Sequence, residues 1–585
     1  MKFSVLALDF DGTIAQNDVL DPAVRQAISE LRSQGIIVVL VTGRSLEDLL
    51  RIAGDLHFVD AIVAENGAVL EFPASGYSTT FGAPPSPLLL DQLKREGIVF
   101  ATGRAIVDAS ASDAARILAV VQRLELPLML AFNRSRVMVL PQAISKATGI
   151  HQALTILRLS PHNAVAIGDA ENDHELLKAC EVGLAVDWGS EALKASADYV
   201  VPGSGPSDVA GYIRQLATGR RVPTPIKTRR RLLLGHTDYG EMLALAVRGR
   251  NVLIAGDPKS GKSWVTGLLC EQLILYGYCL CIIDPEGDYT SLEALPGVVV
   301  FGGADPLPKP RDLLRALRHP DGSVVIDLSH RSHEEKLDYV RTILPALATL
   351  RRLTGLPHRI VVDEAHYFLH GSNVDQMLDL ELNSYTLATY RASELHPNVL
   401  SASEAIVVTR ESDPAEARAL RMLCAGCTGR LDEHEWEQLL ERLVIGEAAV
   451  LPITEEAGGQ ARRIRLAPRL TPHVRHFAKY IDIPVPESRA FLFWRDGSPT
   501  GPRVRTLREF VAGVEHTPTA VFEGHLRRRD FSKWIAGVFG DYPLANSVRD
   551  LEDEYSHGDD TDICSRLGEV IRARYEFIDP LSGRQ

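Results

Sequence analysis

Residues 3–14 read FSVLALDFDGTI, an apolar run that stops at Asp9 and is followed at once by Phe10, a second aspartate, Gly12 and Thr13. An unbroken apolar run of this length reads as a strand buried on both faces of a parallel sheet. At the end of such a strand the Asp9 carboxylate can attack phosphorus and form an aspartyl-phosphate, splitting one hard hydrolysis into two easier steps. Asp11 can protonate the leaving oxygen and then activate water. Gly12 lets the chain turn sharply where the strand ends. A DxDGT segment alone also suits a surface turn, so the rest of the chain has to decide.

Working outward, GIIVVLVTGR at 35–44 is a second buried strand, with a helical pattern over 21–33 between the two. AIVAENGAVLEF at 61–72 is further strand with a turn at Asn66-Gly67, and 84–140 loosens into a small α+β insertion. The rhythm resumes with NAVAIGD and continues to about Ile213. Three further pieces support phosphate chemistry. Thr42, after the second strand, offers a hydroxyl and backbone donors to a phosphoryl oxygen. Lys146, in PQAISKATGI, can neutralise both the nucleophile and the transferring group. Asp169 and Asp173, in IGDAENDHELL, add the oxygen ligands that magnesium prefers. All fall at the C-terminal ends of predicted strands or just beyond, where open α/β sheets place their ligands.

Residues 217–227 (ATGRRVPTPIK) are polar and contain proline, which places a linker over 217–230 after a first domain of 1–216. A second α/β unit, 231–484, opens with NVLIAGDPKSGKS, a full phosphate-loop pattern between an apolar strand and a helix start. Gly256 and Gly261 let backbone N–H groups close around phosphates, Lys262 reaches the outer phosphates, and Ser263 ligates magnesium. LCIIDPE, SVVIDLS, RIVVDEA, SYTLATYR and EAIVVTR are its further strands, implying a parallel sheet wrapped by helices. Asp363 would hold the metal through water and Glu364 would orient or deprotonate the attacking water. PITEEAGGQARRIRLAPRL looks like a closing strand pair. From 485 to 585 helical spacing returns around 505–512, 531–538 and 563–575, a small, mainly helical domain.

The first set of motifs resembles the haloacid dehalogenase superfamily, in its Cof-like subfamily IIB with a cap at about 84–140; ENGA at 65–68 also looks like that subfamily. The resemblance implies a Rossmann-like core over 1–216, with Asp9 as nucleophile, Asp11 as general acid/base, and Thr42 and Lys146 as phosphate binders. Magnesium would sit on Asp9, the backbone carbonyl of Asp11, Asp169 and Asp173. The substrate would be a small phosphorylated metabolite, a sugar phosphate or a phosphoglycolate-like ester, which Arg104, Asn133, Arg134 and Arg136 of the cap are placed to reach. Residues 231–481 resemble the HerA/FtsK-like branch of RecA-like P-loop ATPases, through IDPEGDY, TLATYRASELHPNVL and IGEAAVLP. That implies ATP as ligand, Thr389 as the residue that senses the outer phosphate, and Arg391 and Arg410 as charges offered across a subunit boundary of a homo-oligomer. Tyr390 stands where the branch commonly has glutamine, in the segment coupling hydrolysis to motion, which puts DNA pumping in doubt.

Composition bounds these readings. The chain has 585 residues, 45% hydrophobic and 24% charged, enough for about three to four domains of a globular protein. A net charge of −13 argues against a uniformly basic nucleic-acid surface. Scattered cysteines, no leader pattern and no apolar run of about 18 residues make a reducing cytoplasm the simplest home and a membrane role unexpected. The leading expectation is a magnesium-dependent phosphatase fused to an ATPase. The alternatives are a nucleic-acid processing ATPase or translocase, a polynucleotide end-processing phosphatase-kinase, and a nucleotide-binding half that only switches the phosphatase. KTRRR at 227–231 is expected to be solvated, Cys424 and Cys427 to hold no zinc, and His366 and His476 to be surface or core residues. Phe531, Trp534, Ile535 and Val538 share one helical face, expected to pack a small core.

Overall fold

The computed structural model describes residues 2–575 apart from 220–228, 248–249, 372–373, 424–432, 453–460, 473–483, 486, 496–497, 517–518, 540–541 and 558–561. Most of the expected linker, Lys227, Cys424, Cys427 and His476 lie outside the described residues.

The first domain is built on an eight-stranded sheet. Its order is Tyr199–Val201, Val182–Val186, Ala164–Gly168, Val5–Asp9, Ile37–Val41, Ala61–Ala64, Val69–Phe72, Tyr77–Thr80. The first six strands are parallel and the last two antiparallel. Val5–Asp9 is buried along its whole length because helices cover both faces of the sheet. The cap is a four-stranded antiparallel sheet, Leu128–Asn133, Arg136–Pro141, Val107–Ser110, Phe100–Thr102, backed by helices Pro87–Arg95 and Ala114–Arg123.

The second sheet has eleven strands, and it corrects the expectation of a parallel sheet. Seven strands from Ala405–Val408 to Val298–Gly302 are parallel, but Glu447–Pro452, Arg462–Leu466, Arg231–His236 and Met242–Ala246 continue one edge antiparallel. The closing strand pair therefore forms as expected, and a hairpin that the sequence did not announce joins it. Within the parallel part, Val252–Ala255 lies between Ala405–Val408 and Tyr385–Thr389, and Arg359–Val362 follows Tyr385–Thr389. The last domain contains helices Leu507–His516, Thr519–Arg528, Tyr542–His557 and Ile563–Tyr575, plus an unexpected hairpin, Phe491–Arg495 with Ser498–Val504. Phe531, Trp534 and Ile535 are buried in its core with Val538 against them, as expected. Among the described residues no helix is long and apolar enough to cross a membrane.

The two sheets meet at the N-terminal ends of their strands. His162, just before the Ala164–Gly168 strand, stacks on Tyr278 at 3.7 Å and faces the ring of His358 edge-on. Its Nδ1 meets Glu181 Oε2 and its Nε2 the carbonyl of Tyr276, both at 2.9 Å. Tyr278 donates to the same Glu181 oxygen at 2.9 Å. Arg229 and Arg230, expected to be solvated, instead pair with Asp198 and Glu181 in this seam. A buried acid and a facing aromatic layer draw the two arginines out of water.

Candidate active sites

In the first domain, Asp9 ends its strand, level with Val41 of the neighbouring strand, which sets Thr42 beside it. Lys146 is the first residue of helix Lys146–Leu157, fixed by a reciprocal cap between Ser145 and Thr148. Gly149 lets that helix sit against the Glu65–Gly67 turn, since a Cβ there would stand 2.6 Å from the Gly67 Cα. Lys146 Nζ consequently donates to Asp9 Oδ1 at 2.5 Å and Asp173 Oδ1 at 2.6 Å. Asp173 is held in turn by the Asp169 and Ala170 amides at 3.0 and 3.1 Å. Thr13 donates towards Asp9 Oδ2 at 3.2 Å and Asp169 Oδ1 at 3.3 Å. Asp9, Lys146, Asp169 and Asp173 are all at most 4% exposed.

Burying three carboxylates side by side has an electrostatic consequence. Desolvation, then the charge of Asp173, push Asp9 well above the usual carboxylate range against the pull of Lys146. The same two causes push Asp169 up to about 6. Burial works against the Lys146 ammonium, but Asp173 and Asp9 outweigh it and raise it. Oxygens of Asp9, Asp169 and Asp173 converge within 4.8 Å of one another. Hard oxygen donors carrying more negative charge than their neighbours balance suit a divalent cation such as magnesium.

Asp11 is part-exposed and lies in the fork of Arg44, which bonds its two oxygens at 2.7 and 2.6 Å. Arg44 also pairs with Asp18 and Asp48. Arg44 was legible only as part of the VTGR segment, and Thr13 only as part of DFDGT; neither signals its partner. Above them lies a cavity of about 510 Å3 between core and cap, lined by Asp11, Arg44, Asn133, Arg134 and Arg136 among others. Of the cap candidates, Arg134 pairs with Asp169 and Arg136 with Asp108. Arg104 turns away to Ser78, and its backbone N–H and that of Ala105 donate to Glu65, tying the cap to the core.

In the second domain, Val252–Ala255 leads through the 256–261 loop into helix Lys262–Leu275. Gly256 and Gly261 have φ of +144° and +112°, backbone that only glycine adopts without strain. Lys262 Nζ lies over its own loop, donating to the carbonyls of Gly256 at 3.0 Å and Asp257 at 2.8 Å. Ser263 donates to Asp288 at 2.6 Å. Asp363 and Glu364 are 1% exposed at the end of Arg359–Val362, two strands from the loop. Thr389, level with Ala255 on the strand between them, bonds His366 Nδ1 at 3.0 Å. Burial pushes His366 down to about 4, so its ring is neutral, a core histidine as expected. Tyr390 lies with its ring 5.8 Å from Lys262 Nζ.

The two arginines expected at a subunit boundary are tied within the chain. Arg410 bonds Asp257 of the loop at 3.3 Å, and Arg391 pairs with Glu394. A cavity of about 410 Å3 beside the loop is lined by Asp257, Tyr390, Arg391 and Glu411, and by Glu487 and Arg505 of the last domain. Burial, then the Asp257 carboxylate, push Glu411 up to about 9.

Residues 6–79 and 105–205 match the family model of the haloacid dehalogenase-like hydrolases. A phosphoglycolate phosphatase of Methanosarcina acetivorans is 29% identical over 216 residues, which is 35% of this chain and 92% of that protein. A phosphoglycolate phosphatase of Natronomonas pharaonis is 28% identical over 211 residues, 34% of this chain and 91% of that protein. A solved haloacid dehalogenase-like hydrolase from Bacteroides thetaiotaomicron is 19% identical with a TM-score of 0.33, covering 37% of this chain and 100% of that one. The first domain is thus a haloacid dehalogenase-like hydrolase domain; these matches span about a third of the chain.

Proposed function

We propose that the hydrolase domain is a phosphomonoester phosphatase working through an aspartyl-phosphate on Asp9. The observation that carries this reading is Lys146 bridging Asp9 and Asp173 at the mouth of the sheet, with Asp169 alongside. Lys146 on Oδ1 and Thr13 on Oδ2 fix the plane of the Asp9 carboxylate, so that a remaining lone pair of one oxygen can be aimed at phosphorus. Thr42 and Lys146 receive the phosphoryl oxygens. A proton taken up from solvent by Asp11 is passed to the departing alcohol, and Asp11 later takes one from the attacking water. Asp9, the Asp11 carbonyl, Asp169 and Asp173 would hold magnesium, which supplies charge neutralisation at the phosphoryl group.

Small phosphorylated metabolites, including phosphoglycolate and sugar phosphates, are the substrates to screen, in keeping with the relatives' names and the cavity's guanidinium groups. The test compares the parent chain with Asp9→Asn across such a panel with magnesium present. Hydrolysis by the parent and its loss in the variant are expected; equal rates would refute the assignment.

For the second domain the reading is an ATP-binding and ATP-hydrolysing module. Its support is the loop of Gly256, Gly261, Lys262 and Ser263, with Thr389 on the strand next to the loop strand and Asp363 and Glu364 at the end of the strand beyond it. A carboxylate in Glu364's place suits activation of water better than phosphoryl transfer to a hydroxyl, which favours an ATPase over a polynucleotide kinase. ATP turnover with and without DNA, across a salt series, separates a translocase from a DNA-independent regulatory ATPase.

A further inference from the structure

Asp169 is 1% exposed, and Arg134 of the cap hairpin holds its Oδ2. Arg134 sits in the tight turn between Leu128–Asn133 and Arg136–Pro141, at a φ of +53°, and its side chain is 57% exposed. The guanidinium reaches so far into the core that a Cβ built on Gly12 would stand 2.7 Å from its Nη2 and closer still to Asp169. It therefore occupies ground between the nucleophile loop and the carboxylate triad. Lys146 serves Asp9 and Asp173, and Arg134 serves Asp169.

A divalent cation bound by the triad needs inner-sphere oxygens at about 2.0–2.1 Å, which leaves no room for a guanidinium on the same Asp169 oxygen. The cavity's other arginines stay occupied either way: Arg44 by Asp11, Asp18 and Asp48, and Arg136 by Asp108. None of those acids is in the triad.

We infer that Arg134 is an exchangeable counter-ion. Without a divalent cation it neutralises Asp169 and ties the cap hairpin to the core. With the cation in place it is released into the 510 Å3 cavity, where it meets a second anionic group on the phosphorylated substrate. Two consequences follow from that exchange: cation binding precedes productive substrate binding, and esters whose leaving group carries a carboxylate or further phosphate are favoured over neutral ones. The substrate half rests on the phosphatase reading above; the cation half does not.

The test is calorimetric titration of the full-length chain with magnesium, without nucleotide or substrate. Removing a part-exposed competing ion pair should tighten the magnesium Kd of Arg134→Ala by about fivefold. Arg134→Asn, whose side chain tolerates the left-handed turn, should do the same and guards against a misfolded hairpin. In the Asp169→Asn background the Arg134→Ala change should make no difference. An unchanged or weaker Kd in both single variants would overturn the inference, whether or not the protein hydrolyses any ester. In an active enzyme, Arg134→Ala should raise KM for phosphoglycolate about tenfold and leave that for p-nitrophenyl phosphate unaltered. Equal changes for the two esters would overturn the substrate half.

Discussion

Replacing Lys146 by methionine keeps most of the side-chain volume and deletes the charge that bonds two of the three buried carboxylates. Lys146 is 1% exposed and bonds Asp9 and Asp173 at 2.5 and 2.6 Å. Removing one partner of a buried pair costs about 3–5 kcal/mol, because the other is left uncompensated. Here two partners are stranded, but Asp9 and Asp169 already bind protons above the ordinary carboxylate range and rise further when the ammonium leaves. Protonation then offsets much of the cost in acid and none of it in base. The expected loss is about 3–5 kcal/mol at pH 8 and about half that at pH 5. Because a chain of several domains has no single unfolding free energy, the assay is native-state hydrogen exchange of the metal-free full chain. Peptides covering Val5–Asp9 and Ala164–Gly168 should lose protection, while the Tyr385–Thr389 strand of the other sheet serves as internal control. Added magnesium should restore part of the loss. A decrease below about 1 kcal/mol at pH 8, or one equal at both pH values, would refute the account of Lys146 as the triad's principal counter-charge.

Glu552 is fully buried, accepts the Phe531 and Ser532 amides, and is pushed up to about 7 by burial. Its folded value lies above its ordinary one, so its stabilisation is full below about pH 4.5 and drains away as pH rises towards 7. Glu552→Gln should flatten that slope in the last domain's exchange protection; an unaltered slope would count against it. Lys262→Ala should abolish binding of a fluorescent ATP analogue, whereas Glu364→Gln should keep binding and lower turnover by about 100-fold or more. Binding lost in both, or turnover kept in Glu364→Gln, would contradict those roles. Tyr278→Phe removes one of the bonds to Glu181 in the seam and should cost about 1–2 kcal/mol of protection on both flanking strands. A change confined to one domain would mean the seam does not bind the two together.

The parts legible in the sequence were those written in consecutive residues. Apolar runs ending in Asp9, Val41 and Gly168 mark buried parallel strands, and the glycines at 256 and 261 mark a tight strand-to-helix loop, because backbone demand and residue type coincide there. The antiparallel edge was not legible as a whole. RLLLGH at 231–236 pairs locally with Met242–Ala246, but this hairpin joins the sheet only through Arg462–Leu466, more than two hundred residues on. The carboxylates of the first site and Lys146 could be named in advance, but the arginine counter-ions could not. Arg44 meets Asp11 across 33 residues and Arg134 meets Asp169 across 35, and nothing local in either segment announces the pairing. The two arginines read as subunit-boundary charges are paired within the chain, Arg410 with the distant Asp257 and Arg391 with Glu394 three residues on.

The seam at His162, Tyr278 and His358 fixes which way the two chemistries face. His162 and His358 enter strands whose far ends lead to acids of the two candidate sites, Asp169 beyond Gly168 and Asp363 beyond Val362, and Tyr278 enters the Leu280–Asp284 strand next to the latter. The sheets are therefore joined base to base, and each candidate site lies at the far ends of its own strands. A strand of five residues at about 3.3 Å each sets each site about 16 Å from the seam, about two Debye lengths at physiological salt. Neither site's charge reaches the other's titration, and no intermediate passes between them except through bulk solvent. Whatever the two domains exchange must travel as strain along the strands that meet at the seam, or as diffusing product.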